Sequence, residues 1–232
     1  MKEPSKINVL IACEESQRVC VAFRERGFNA FSCDIQQCSG EHPEWHIWGN
    51  CLPFLKGLCE FYTENGEYHA IENWDLIIAH PPCTYLSNAG AARLYKIIDG
   101  ETYVKRDRLE KGMDAKEFFL KFLNAECDRI CVENPIPSGV YRLPKYTQTI
   151  QPYEFGHPFT KKTYLWLKGL PQLRHTDIVE PVGPYVCGNS EIWKKQAAKG
   201  TVYGKEKSAK HRSKTFHGVA KAMAEQWAGE CK

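Results

Sequence analysis

No apolar run in this chain approaches the roughly 18 residues that a membrane-spanning helix requires, so none is expected. The opening stretch MKEPSKINVLIACEESQ has no long apolar segment ending in a small-residue cleavage site, so a cytoplasmic location is expected. Paired cysteine spacings are missing too. The 11 cysteines are odd in number and irregularly spaced, which argues against a disulfide framework. Several lie in apolar runs (LIAC, FSCDI, RICVEN), where a free thiol packs as a small hydrophobe. A strong charge of either sign is also lacking: the net charge is +3, which neither demands nor excludes nucleic acid. There is no internal repeat and no low-complexity segment. What remains is 43% hydrophobic and 25% charged residues over 232 positions, the make-up of a single folded domain with a full core.

The apolar runs that are present are short and β-branched. INVLIAC (7–13) reads as a strand, EESQRVCVAFRERG as a helix ending on Gly27, and FNAFSCDI (28–35) as a second strand ending in an acid. Strand, helix, strand is the unit of a parallel sheet with crossover helices, so an α/β fold is expected. Residues 36–53 read as a loop, and LPFLKGLCEFYTEN (52–65) as a further helix. WDLIIAH (74–80) is the best strand in the chain, and the prolines of PPC stop it, because proline cannot donate to a sheet ladder. KEFFLKFLNAEC (116–127) has helical periodicity, and RICVEN (129–134) follows as a strand halted by proline. YTQTIQPYEFG and KKTYLWLKG read as strands, and SKTFHGVAKAMAEQWAG ends as a helix with Val219, Met223 and Trp227 on one face.

Ligands of open α/β sheets bind beyond the carboxyl ends of the strands. By that rule Cys13, Asp34, Cys83 and Glu133 converge. Asp34, at the end of the second strand, suits the two hydroxyls of a ribose, although a turn role explains it equally. Cys83 and Glu133 are more telling as a pair. Each ends a strand beside proline, and one crossover helix fits between them. A thiolate next to a carboxyl group is the equipment for covalent attack on an electron-poor ring. Taken alone, PPC is more often a packed thiol in a stiff turn; the pairing with VENP reverses that preference.

HPPCTYLS and VENP, in that order, resemble the proline-cysteine loop and the glutamate-asparagine motif of DNA (cytosine-5)-methyltransferases. The chain is more closely similar to the short cytosine methyltransferases of phages and prophages. The similarity also covers VLIACEESQRVCVAFRERGFNAFSCDI, GNCLPFL, QPYEFGHPFTKKTYLWLKGLP and RSKTFHGVAKAMAEQWAG, from about residue 7 to 229. It implies a Rossmann-like class I methyltransferase fold, a mostly parallel sheet flanked by helices, with S-adenosylmethionine as cofactor and DNA as partner. Cys83 would attack carbon 6 of a flipped cytosine. Glu133 would hold the base through N3 and the exocyclic amine, and Asn134 would position Glu133 or the Cys83 loop. Ala12, Cys13, Glu14, Glu15 and Ser16 match the family's first cofactor motif, and Asp34 with Ile35 the second. Asn50 stands where an aspartate often meets the adenine amine, and His80, Pro81 and Pro82 would line the methionine side.

Three departures from that pattern stand out. CEESQ has no glycine where the family has a glycine-rich turn. In PFTKKT, Lys161 takes the place of the first of two arginines and Thr163 that of the second, so a point charge replaces a guanidinium fork. Only about 40 residues separate WLKGLP from SKTFHG, so specificity is expected to be short or loose. The single domain, 1–232, would meet DNA through a small basic insertion near 172–212, within which 194–214 is lysine-rich with one Arg and a single Glu. Two rival activities remain open. Amino methylation of cytosine or adenine favours an aromatic residue where Cys83 stands, and a DNA-binding protein that has lost catalysis is suggested by the missing glycines. A third possibility, a zinc-stabilised module, rests on Cys38, His42, His46 and Cys51. Their C-x3-H-x3-H-x4-C spacing matches no common finger, and they are read as loop residues with no metal assigned. His157 reads as a turn residue.

Overall fold

Strand β1 (Asn8–Ala12) is buried on both faces, as a central strand of a parallel sheet must be. Alternate side chains divide its burial. Val9 and Ile11 join one core, and Leu10 and Ala12 the other. The computed structural model describes residues 2–185 and 212–227, and these build an α/β architecture around a seven-stranded sheet.

The strands, in chain order, are β2 (Asn29–Asp34), β3 (His46–Trp48), β4 (Cys59–Tyr62), β5 (Tyr68–Ile71), β6 (Leu76–Ala79), β7 (Tyr95–Ile98), β8 (Glu101–Val104), β9 (Ile130–Pro135), β10 (Gln148–Ile150), β11 (Phe159–Thr160), β12 (Thr163–Lys168) and β13 (Gly183–Pro184). The helices are α1 (Arg18–Arg24), α2 (Asn88–Ala91), α3 (Arg106–Leu123) and α4 (His217–Trp227). The main sheet runs β10-β12-β9-β6-β1-β2-β3. From β9 to β3 the neighbours are parallel, and β12 and β10 add an antiparallel edge. α1 and α4 cover one face, where Phe23, Val219, Met223 and Trp227 are buried on Val9 and Ile11. α3 covers the other through Phe119 and Phe122, which pack with Leu10, Ile77 and Val132. The sheet is therefore the middle of three layers.

Several sequence expectations shift. The segment 52–65 is not a helix. A 3-10 turn over Leu52–Phe54 leads into β4, which forms an antiparallel hairpin with β5. Cys59 and Phe61 point inward while Glu60 and Tyr62 stay exposed, so the period is two, and Phe61 is fixed by edge contacts with Phe31 and by stacking on Trp74. Within the expected loop 36–53, β3 pairs in parallel with β2. α3 begins ten residues before the expected start at 116, and the Pro135 that was expected to halt β9 is its last residue. Of the expected insertion 172–212, residues 186–211 lie outside the described residues, as does Trp193; Trp166 and Trp227 are core.

Candidate active site

Register builds the site. β6 pairs with β9 so that Ala79 faces Val132, and one step further along each strand His80 comes beside Glu133. His80 Nδ1 lies 3.4 Å from Glu133 Oε2. The prolines then turn the chain so that Cys83 follows at the same edge, and the Ser87 amide donates to the Cys83 carbonyl, closing the loop into α2. On the other side β12 runs antiparallel to β9 with Leu165 opposite Glu133. This brings Lys161, just before β12, to the recess that His80 and Glu133 line together with Thr163, Thr215 and Phe216. Lys161 Nζ donates to the Arg212 carbonyl at 2.9 Å.

The electrostatics follow from burial and from this pairing. Burial works to raise the Glu133 pKa, but the His80 hydrogen bond, the His80 charge and Lys161 outweigh it, so the carboxyl sits below its usual value. Cys83 is shifted the other way. Burial first and the Glu133 carboxylate second push its thiol up, against the lowering pull of Lys161 and Arg212. Asn134 is fully buried; its amide donates to the Pro135 carbonyl, while its Oδ1 and the Nε2 of His80 have no hydrogen-bond partner.

The turn after β1 makes its shape without glycine. Cys13 and Gln17 both adopt left-handed backbone, at φ 60° and 57°, a region that glycine usually fills. Glu14 is buried within this turn, and its carboxylate accepts from the amides of Val19 and Cys20 in the first turn of α1. Burial nonetheless raises its pKa. The side chain thus caps α1 from outside the helix, a role that sequence reading did not assign. Glu15 and Ser16 are also buried, and Glu15 and Ser39 share a short hydrogen bond.

Asp34 closes β2. Its Oδ1 accepts from the Gln36 amide at 2.9 Å, which is the turn role. Beside it Ile35 is 76% exposed and Trp48 57% exposed, and Trp48 Nε1 donates to the Ile35 carbonyl. Asn50 Oδ1 already accepts from the Leu52 amide, which leaves the Asn50 amide group as its free donor. Two exposed apolar surfaces beside a carboxylate and an amide suit an adenosine: the flat faces for the base, Asp34 for the ribose hydroxyls. Pro81 is buried and Pro82 exposed.

The four residues weighed as a zinc set do not gather. His46 places Nδ1 on Ser32 Oγ and Nε2 on the Gln36 carbonyl. His42 pairs with Glu44 and stacks on Trp45. Cys51 turns instead to Cys13, sulfur to sulfur at 3.7 Å. Hydrogen bonds from Cys13 and Cys33 hold the Cys51 thiol well below its ordinary value. Among the described residues no group of three or more His, Cys, Asp or Glu is arranged to hold a metal, and no helix there is long and apolar enough to cross a membrane. His157 is a helix-capping residue, with Nε2 accepting from the Gly218 amide. No family model and no curated protein matches the chain.

Proposed function

We propose that the chain methylates carbon 5 of cytosine in DNA, on a sheet of the Rossmann-like class I methyltransferase kind. The observation that carries this reading is the parallel β6–β9 pair, which sets the Cys83 turn, His80 and Glu133 at one strand edge with Lys161 opposite. The motif similarity of HPPCTYLS and VENP supplies the identity of the reaction. The Ala12–Ser16 turn, Asp34, Ile35 and Asn50 would hold S-adenosylmethionine, which would supply the methyl group.

The chain's own groups divide the remaining work. Glu133 receives N3 and the exocyclic amine of a flipped cytosine, and Asn134 fixes the strand end behind it. Cys83 Sγ bonds to carbon 6 while its proton passes to N3, which turns carbon 5 into a nucleophile; carbon 5 takes the methyl group, and loss of the carbon 5 proton to a base with departure of Sγ as thiolate then restores the ring. The opposed shifts of Cys83 and Glu133 give this order a physical basis. The free thiol is held protonated, in part by the negative charge of Glu133. The proton given up by the thiol, carried on N3 and shared there with Glu133, cancels that charge, and Lys161 and Arg212 then favour the thiolate. Attack is thereby tied to a seated base.

DNA carrying 5-fluorocytosine tests the reading, because fluorine cannot leave as a proton does. Incubated with S-adenosylmethionine and run on a denaturing gel, the wild-type chain is expected to stall as a covalent adduct that Cys83→Ala does not form. Absence of an adduct on DNA of varied sequence, together with absence of S-adenosylmethionine binding, would leave a non-catalytic DNA-binding protein. Methyl incorporation that survives Cys83→Ala would point to amino methylation.

A further inference from the structure

Beside the Cys83 turn lies a second recess, lined by Tyr85, Arg93, Lys105, Asp107, Arg108 and Lys111. Four cations share it with one acid. Among the described residues none of the four cations takes part in an ion pair. Like charges gathered in this way repel one another, and the arrangement becomes favourable when an anion joins them. Arg108 ties the recess to the Cys83 turn. Its guanidinium lies 4.8 Å from the centre of the Tyr85 ring, and Nη2 donates to the carbonyls of Thr84 and Gly90. Its Nε is buried with no partner. Arg93 and Lys105 flank the β7–β8 hairpin, and the Lys105 amide donates to the Leu94 carbonyl, closing the hairpin's base. Every residue of that hairpin's strands is exposed, Tyr95, Ile97 and Tyr103 included.

We propose that this recess binds the phosphodiester backbone of duplex DNA beside the target nucleotide, through Arg93, Lys105, Arg108 and Lys111. The inference deepens the reading of the chain as a DNA-modifying protein and rests on it. A polymer fits better than a small phosphate for two reasons. Lys111 stands six residues along from Lys105, about 9 Å of helix rise, which is more than one phosphate group spans. The exposed two-stranded ribbon at the recess edge also has the shape that a DNA groove admits. The expected basic insertion is then not the sole contact with DNA. Contacts of this kind position the duplex and carry no sequence information themselves.

The test is binding of a labelled duplex, followed by fluorescence anisotropy from low to moderate salt without cofactor. The triple variant Arg93→Gln, Lys105→Gln, Lys111→Gln removes three charges and leaves Arg108 to hold the Cys83 turn. A control, Lys56→Gln, Lys121→Gln, Lys168→Gln, removes the same charge from exposed positions elsewhere. The slope of log affinity against log salt is expected to flatten by about 2 to 3 in the recess variant, about one per lost phosphate contact, and by less than 1 in the control. Equal slopes in the two variants, or a wild-type chain that binds no duplex, would overturn the proposal. So would displacement of the duplex by inorganic phosphate well beyond chloride at equal ionic strength, which marks a small-anion site. The fluorocytosine adduct is read separately. A duplex bound through the recess with no adduct removes the cytosine chemistry and keeps the recess.

Discussion

At the residue scale, the chemistry depends on how Cys83, Glu133 and Lys161 set one another's charge. Burial and then Glu133 raise the Cys83 thiol, and Lys161 opposes them. Alkylation of Cys83 by iodoacetamide is therefore expected to be slow at neutral pH and to rise through and beyond the ordinary thiol range. Glu133→Gln removes a raising charge and should move the midpoint of the rate profile to lower pH. Lys161→Met removes a lowering charge and should move it to higher pH. Peptide mass spectrometry of Cys83 across pH reads both shifts, and a midpoint indifferent to both variants would mean that burial alone governs the thiol. The pair itself was legible in the sequence because proline marks each strand end. The direction of their mutual influence was not, since it depends on burial, on the register that sets His80 of the Cys83 turn beside Glu133, and on Lys161 arriving from the start of β12.

At the scale of elements, α3 shows how one small residue sets a packing distance. Gly112 is buried on the helix, and a Cβ there would overlap the Tyr141 ring. Gly112→Ala is expected to cost about 1 to 3 kcal/mol, the range for overpacking a filled site. Gly139→Ala, where a Cβ meets nothing within 4 Å, should stay within about 0.5 kcal/mol. Urea midpoints for the two variants decide between them. The same scale explains the correction at 52–65. The apolar residues of LPFLKGLCEFYTEN satisfy a helical and an alternating period alike, and the packing of Phe61 between Phe31 and Trp74 selects the hairpin. No local signal within that segment records those partners.

At the scale of the whole molecule, the C-terminal helix closes the core that the N-terminal strand begins. α4 packs on α1, and Trp227, fully buried, donates Nε1 to the Pro171 carbonyl at 2.9 Å. The Arg129 side chain reaches the Trp227 carbonyl. Trp227→Ala is expected to cost about 3 to 5 kcal/mol, as for large-to-small changes in a packed core. Chemical denaturation should show that loss as a lower midpoint of one transition for the whole domain. A separate early transition confined to α4 would instead mean that the helix is an appendage.

The sequence by itself determined the parallel core of the sheet and the strand ends at which chemistry collects. A buried strand needs an unbroken β-branched run, and proline ends it; both are local properties visible in WDLIIAH-PPC and RICVEN-P. Tertiary structure alone decided the rest: Glu14 capping α1, Cys13 and Cys51 meeting at 3.7 Å, and Arg93, Lys105, Arg108 and Lys111 sharing a recess beside Cys83. Packing brings Cys13 to Cys51 and Arg93 to α3 from separate segments, whereas Glu14 and the cations Lys105, Arg108 and Lys111 have near neighbours in the chain as partners, and these pairings take effect only once the turn and the helix are in place.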